Sequence, residues 1–348
     1  MFAIVGGYTT SDRDGRGDGV RVYQVDGPQS PWRQIQHIGE LENPSLFTLS
    51  KDKRRLYAVH GARTLMSAFA LDPATGALRL INRVPSGGIN PVEAALDPTE
   101  RHLVIANYTA GNVAVMDLAR DGALRGVGQV FQLPGKRGTH PTQQPHAHPH
   151  GVIFDPSGRF AIVPDKGFDC VFVFQFRDGR ISLNQIATAK VGSAPRHCVF
   201  HPRLPVLYVN NELDSTVTAW KWDPALGTLS DPRIASTIPM MFTSKNTTAE
   251  IAASPNGRFV YVSNRGHDSV AIFAADQTSG ALSMLGCINT GGKTPRFFTL
   301  DRDGTVLYAA NQDSDTITRF RLNERNGLPE RLPGDVAVGS PSAITLVA

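Results

Sequence analysis

His150-Gly151-Val152-Ile153-Phe154-Asp155-Pro156-Ser157-Gly158-Arg159-Phe160-Ala161-Ile162-Val163 contains a β-rich run, a tight turn and a second β-rich run. Asp bonds its own backbone, Pro fixes φ and Gly accepts a left-handed conformation, so Asp155 to Gly158 is turn chemistry. The pattern recurs outward in both directions. Asn43 to Ser50 leads to Leu56-Tyr57-Ala58-Val59, and Asn90 to Pro98 leads to Leu103-Val104-Ile105-Ala106. Pro195 to Pro202 leads to Leu207-Tyr208-Val209, Ala249 to Gly257 to Phe259-Val260-Tyr261-Val262, and Pro295 to Asp301 to Leu307-Tyr308-Ala309-Ala310. A polar turn and a third alternating run follow each, as at Val113 to Met116 or Val270 to Phe273. A Gly-Ala-Leu or Gly-Thr-Leu turn and a weaker fourth run complete the unit.

Four short antiparallel strands repeating at roughly 47 to 56 residues define a β-propeller blade. Sustained 3.6-residue apolar periodicity is absent, which argues against helical layers. Six copies leave both ends over. Ser342 to Val347 matches a first strand, while Phe2 to Val5, Gly19 to Tyr23 and Trp32 to Ile35 match strands two, three and four. The expected fold is all-β: a seven-bladed propeller over residues 1–348, one domain, its last blade closed by strands from both termini so that no sheet edge stays open.

The 348 residues are 41% apolar and 19% charged, an ordinary globular composition. No apolar run approaches the roughly 20 residues of a membrane helix. Phe2-Ala3-Ile4-Val5 is too short for a signal-peptide core and has no basic start, so a cytoplasmic location and no membrane association are expected. The net charge of +4 is scattered, which excludes a nucleic-acid stripe and suits a small anionic ligand. Cys170, Cys198 and Cys287 are too far apart for a disulfide framework or a CxxC metal site. Cys198 reads as a small buried filler rather than a nucleophile.

An antiparallel unit also fixes which loops share a face. The segments leading into strand one and the loops after strand two lie on one face of the disc, and the Asp-Pro-x-Gly turns lie on the other. The first face collects His148, His150, Arg196, His197, Glu250, Lys293 and Arg296 from the strand-one side. From the loops after strand two it collects Asn107, Tyr108, Asp165, Lys166, Asn211, Glu212, Asn264, Arg265, Asn311 and Gln312. Such convergent charge is costly as mere structure. It suits a carboxylate, a phosphate or a developing oxyanion. Repeated Pro-Arg at Arg196 and Arg296 also fits a staple to a neighbouring blade. His146, His148 and His150 alternate along an extended segment, so they point to opposite sides, and no acidic cluster adjoins them. Neither a metal nor another cofactor is expected. Lys136 and Arg137, in a long insertion before the histidines, and Lys293 are candidates to meet a phosphate. Pro239-Met240-Met241-Phe242 reads as an apolar lid or a plug.

His148-Pro149-His150-Gly151-Val152, Ala194-Pro195-Arg196-His197-Cys198-Val199-Phe200-His201-Pro202, Asn211-Glu212-Leu213, Asn264-Arg265 and Thr294-Pro295-Arg296 together resemble the seven-bladed lactonase family. That family includes bacterial 6-phosphogluconolactonases and fungal carboxy-muconate lactonising enzymes. The resemblance covers essentially the whole chain. It implies a central cleft in which a His, two Arg and a Glu act on a lactone. Carried onto this sequence, these are His150, with His148 second, Arg196, Arg265 and Glu212. His148, His197, Arg296, Asn211, Lys293 and Gln312 are expected to bind substrate.

The expected reaction is metal-independent hydrolysis of a sugar lactone, first of all 6-phosphogluconolactone, by general acid and base. One of Glu212 and His150 activates water while the other protonates the leaving oxygen. Arg stays protonated and serves as a clamp. No Gly-x-Ser-x-Gly elbow is present for a covalent serine route. The alternatives are a muconate-type cycloisomerase, another catabolic lactone hydrolase, or a non-catalytic interaction platform. The partner is a small anionic lactone, and the protein is expected to be a monomer or a weak homo-oligomer.

Overall fold

The computed structural model describes residues 1–348, which form seven antiparallel sheets. Blade 1 combines Pro341–Val347 with Phe2–Gly7, Val20–Gln24 and Arg33–Ile38. Blades 2 to 7 follow in chain order, with inner strands Pro44–Leu49, Pro91–Leu96, Ile153–Phe154, Pro195–Phe200, Thr247–Ala253 and Pro295–Leu300. In blade 7 the outer edge is divided between Pro329–Arg331 and Val336–Ala337, both paired with Thr316–Leu322. The seven-bladed, all-β expectation and its closure by both termini are observed.

The burial patterns follow from the radial stacking. Second strands such as Val206–Asn211 are buried at every residue because a neighbouring blade covers each sheet face. Fourth strands such as Arg180–Thr188 are mostly exposed, being at the rim. The core is therefore divided among seven clusters, one per interface between blades. Because side chains alternate, one strand serves two clusters. Ile4 packs toward blade 2, while Ala3 and Val5 pack toward blade 7.

Rim amides tie successive blades together. Gln36 both donates to the Leu78 carbonyl (2.7 Å) and accepts from its N–H (2.8 Å). Asn82 does the same with Leu124, Gln129 with Ile181 and Gln185 with Leu229. Each amide thus satisfies two backbone groups that a sheet edge leaves open. On the lower face, Asp155 accepts N–H bonds from Ser157 and Phe160, closing the turn. Gly158 there has φ +70°, and an added Cβ would lie 1.9 Å from Pro98 Cγ, so only glycine fits.

Inner strands begin irregularly. In blades 1, 2, 3, 5 and 7 a non-glycine residue with positive φ (Ser340, Asn43, Asn90, Ala194 and Thr294) precedes a proline. The register then slips by one residue, at Ser342, Ser45, Val92, Arg196 and Arg296. In blade 4 the expected inner strand from Val152 to the turn is reduced to Ile153–Phe154, with a lone bridge from Pro149 to Asp165. The physical reason is Glu93 of blade 3, whose Oε2 takes the Val152 N–H at 2.8 Å in place of a ladder partner. A Cβ at Gly151 would stand 3.1 Å from that oxygen and 2.9 Å from the Arg196 carbonyl.

The seam makes the C-terminal strand structural. It pairs with the whole of Phe2–Gly7 and buries Ala343, Ile344 and Val347. Deleting Ser342 to Ala348 exposes that edge and the clusters on both sides. The expected result is a melting temperature lower by more than about 10 °C, or loss of soluble protein, since the lost burial approaches the whole stability of a domain. An unchanged melting temperature in calorimetry refutes this account of closure.

Candidate active site

Two rings of side chains occupy the upper end of the central channel. The lower ring comes from the bulges. A residue left unpaired at a bulge is re-aimed out of the sheet. Ser45, Val92, Arg196, Arg296 and Ser342 all line the throat of the channel, together with His150, His197 and Glu250. The upper ring comes from the residue that directly follows strand two in each blade: Tyr8, Gly61, Tyr108, Lys166, Glu212 and Gln312, with Arg265 at the same register in blade 6. Tyr8, Tyr108, Lys166, Glu212 and Arg265 border a cavity of about 180 Å³, which His150 and Arg296 reach from below.

Glu212 is the electrostatic centre. Lys166 Nζ donates to Oε1 at 2.8 Å, and Arg265 stands 3.2 Å from the same oxygen. Arg196 Nε lies 3.2 Å from Oε2, out of line for a hydrogen bond. Burial alone raises the carboxyl's pKa, but Arg265, Lys166 and Arg196 outweigh it and hold Glu212 far below the ordinary carboxylate range. It is therefore an ionised acceptor at every working pH and cannot donate a proton. The same burial pushes the Arg196 pKa down to about 9, helped by Arg265 and Arg296.

Beneath this lies a chain of hydrogen bonds. His197 Nδ1 is 3.0 Å from Glu250 Oε2, His150 Nδ1 is 3.2 Å from His197 Nε2, and Arg196 also reaches His197 Nε2 at 3.3 Å. The proton positions can be assigned from this network. A carboxylate only accepts, so His197 carries its hydrogen on Nδ1. A guanidinium only donates, so His197 Nε2 bears a lone pair and must also accept from His150 Nδ1. His150 Nε2 is then left without a hydrogen. Burial, with Arg196, His197, Arg296 and Lys166 nearby, drives the His150 pKa well below 6.5 and keeps the ring neutral.

The remaining sequence candidates fall in different places. His148 is buried beside the cavity rather than on its wall, stacked on Tyr108 at 4.2 Å between centroids with Nδ1 3.0 Å from the Tyr108 carbonyl. Tyr108 also meets the edge of His150, so His148 supports His150 through that ring. His146 is exposed on the approach. Asp165 bonds the backbone N–H groups of His148 and Phe168. No three His, Cys, Asp or Glu side chains converge on a point that would hold a metal ion.

Of the expected substrate contacts, His197 lies beneath the cavity in the throat, and three more besides His148 do not reach it. The Asn211 amide is turned into its own blade by Thr216 and Thr218. Lys293 is exposed and remote from the cavity wall. Gln312 belongs to a 3-10 turn, Gln312–Ser314, whose carbonyl is held by Arg16, and it lies off the cavity wall. Lys136 and Arg137 are likewise exposed, and the insertion contributes Gln143 instead, which binds Lys166 at 2.7 Å. Cys198 is buried with its thiol pushed well up by burial, Glu93 and Glu250, which disables it as a nucleophile. Tyr8, Arg13 and Glu93 escaped the sequence reading. Tyr8 was detectable as the blade 1 counterpart of Glu212, but Arg13 lies in a loop outside the repeat and gave no signal.

A propeller with this ring of acid and base groups matches a known family over nearly its full length. The model for the seven-bladed β-propeller lactonases matches residues 2–346, and the chain belongs to that family. Among similar proteins, 6-phosphogluconolactonase of Bacillus subtilis is 29% identical over 341 residues, covering 97% of each chain. The 6-phosphogluconolactonase of Formosa agariphila is 30% identical, covering 95% of this chain and 96% of that one. Among solved structures, the periplasmic gluconolactonase of Pseudomonas aeruginosa superposes with a TM-score of 0.90 at 29% identity, over 100% of this chain and 99% of that one. No helix here is long and apolar enough to cross a membrane.

Glu212→Gln leaves three buried cations short of their anion, so a loss of about 3–5 kcal/mol is expected at neutral pH. The carboxyl is depressed in the folded state, so its contribution is complete above its ordinary value near 4.5 and is lost as pH falls below it. In urea melts the gap between native and variant protein should therefore narrow from pH 6 toward pH 3. A gap that widens or stays constant contradicts the ion cluster.

Proposed function

We propose that the protein hydrolyses a sugar lactone and that 6-phosphogluconolactone is its substrate. The observation carrying this reading is the Glu250–His197–His150 hydrogen-bond chain, which engages His150 through Nδ1 and leaves its Nε2 open beside a cavity walled by cations. His150 Nε2 takes a proton from water, and the water oxygen attacks the lactone carbonyl carbon. Charge moves to the carbonyl oxygen, where Lys166 and Arg265 stabilise it; Arg265 retains an Nε–H without a partner. When the oxyanion collapses, the ring C–O bond breaks and His150 returns its proton to the leaving oxygen. The product is a hydroxy acid, which ionises.

This division of labour differs from an exchange of proton between Glu212 and His150. Permanent ionisation leaves Glu212 to orient Lys166, Arg265 and Arg196. Arg196 then acts by fixing the proton on His197. The relatives named 6-phosphogluconolactonase and gluconolactonase support the lactone reading.

His150→Gln is expected to lower kcat by about 10²- to 10⁴-fold on 6-phosphogluconolactone above its spontaneous hydrolysis, with the melting temperature nearly unchanged. A variant within about threefold of the native rate eliminates His150 as the base. Because protonation disables the base and burial lowers its pKa, kcat/KM should stay level from pH 8 down to about pH 6.5 and fall only in more acidic solution. A decline centred near pH 7.5 contradicts the assignment.

A further inference from the structure

We propose that Arg13 and Arg296 form a subsite for a phosphate group on the substrate, separated from the reacting carbonyl and deciding phosphorylated over unphosphorylated lactone. The inference rests on the lactonase reading above and concerns one end of the same cavity.

The charges in the cavity wall divide by partner. Lys166 and Arg265 are held by Glu212. Arg13 and Arg296 also line it, and neither has a carboxylate within ion-pair distance. Arg13 Nε is buried and without any hydrogen-bond partner. Both guanidiniums face the ring of Tyr8, at 4.4 Å for Arg13 and 5.2 Å for Arg296. Two like charges against one ring repel each other, and desolvation adds to the cost. A neutral lactone relieves neither term, whereas a dianionic phosphate relieves both and matches the forked donors of arginine.

The subsite is built before ligand arrives. Arg13 ends the 3-10 segment Ser11–Arg13, in the loop between the second and third strands of blade 1. That loop is pinned to blade 2 through Asn43 Oδ1, which accepts from the Thr9 and Thr10 N–H groups at 2.8 and 3.2 Å. It is pinned to blade 7 through Arg16, which binds Asp315 at 2.8 Å. Arg296 is fixed by its bulge behind Pro295. Little ordering entropy therefore remains to be lost on binding.

The test compares 6-phosphogluconolactone with unphosphorylated gluconolactone on native protein, Arg13→Met and Arg13→Lys. Arg13→Met should lower kcat/KM for the phosphorylated lactone by about 30-fold or more, and reduce the preference for it at least about tenfold, mainly through KM. Arg13→Lys should recover part of that preference. Equal losses on both lactones, or an unchanged ratio, overturn the subsite. Inorganic phosphate supplies a second arm that needs no turnover. It should raise the melting temperature of the native protein and do so less in Arg13→Met. Absence of turnover on both lactones would defeat the lactonase reading, yet phosphate binding would still report on the subsite. A native protein whose melting temperature ignores phosphate overturns the subsite whichever lactone is hydrolysed.

Discussion

Where each inner strand starts, an ordinary ladder would turn successive side chains into the two neighbouring blades and leave the channel lined by backbone. The one-residue bulge breaks this alternation and releases a single side chain inward. Everything at the throat depends on that slip. It delivers Arg196 and Arg296, and it also delivers Ser45, Val92 and Ser342, which are small or neutral and leave room. Had the ladders run regularly, Arg196 would face an apolar cluster between blades and could not be accommodated as a charge. The bulge carries a conformational cost as well, because Ala194 and Thr294 adopt positive φ with a Cβ in place. The clusters between blades supply the stability against which that strain is held.

Blade 4 keeps the same slip on a shorter strand: Pro149 pairs with Asp165 and Ile153 with Ile162, so one extra residue stands between the two pairs. Its inner strand is short because Glu93 from blade 3 captures the Val152 N–H. The segment from His148 to Gly151 keeps one antiparallel bridge to strand two, through His150 N–H to the Pro164 carbonyl and Lys166 N–H to the His148 carbonyl, and is held further by Asp165 and the Tyr108 ring. His150 is thus fixed by its backbone bond to strand two, by His197 and by the Tyr108 ring. That arrangement lets its Nδ1 face His197 and leaves Nε2 open. Glu93 itself is raised in pKa by burial, with the Val152 bond opposing, so it acts as an acceptor that organises backbone rather than as a free charge.

The sequence made the blades legible because their information is local. Turn chemistry at Asp155 to Gly158 and β-rich runs at fixed spacing require no long-range knowledge. The face carrying the site was legible too, since antiparallel connectivity alone places Glu212, Arg265 and His150 together. Orientation was another matter. Asn211 and Glu212 are adjacent in sequence, yet one turns into its blade and the other into the channel, because the strand ends between them. Nothing in Lys293, Lys136 or Arg137 distinguished an exposed lysine or arginine from a lining one. Arg13 was invisible for the opposite reason, being brought over the channel by a loop that has no equivalent in the other blades.

A cation's identity also fails to disclose what it does, because that depends on which anion already holds it. Arg196, Arg265 and Lys166 surround one carboxylate, and their net effect on a ligand is reduced by its charge. Arg196 goes further into the protein than the others, donating to His197 and the Ala249 carbonyl while its Nε stands beside Glu212 without a hydrogen bond. Its donors are thus turned into the throat of the channel rather than toward the cavity above. Arg296 has a similar Pro-Arg setting and the same bulge, but no carboxylate meets it. Two arginines delivered by one structural device therefore differ in their partners: Arg196 meets Glu212 and His197, while Arg296 stands at the cavity wall with no carboxylate.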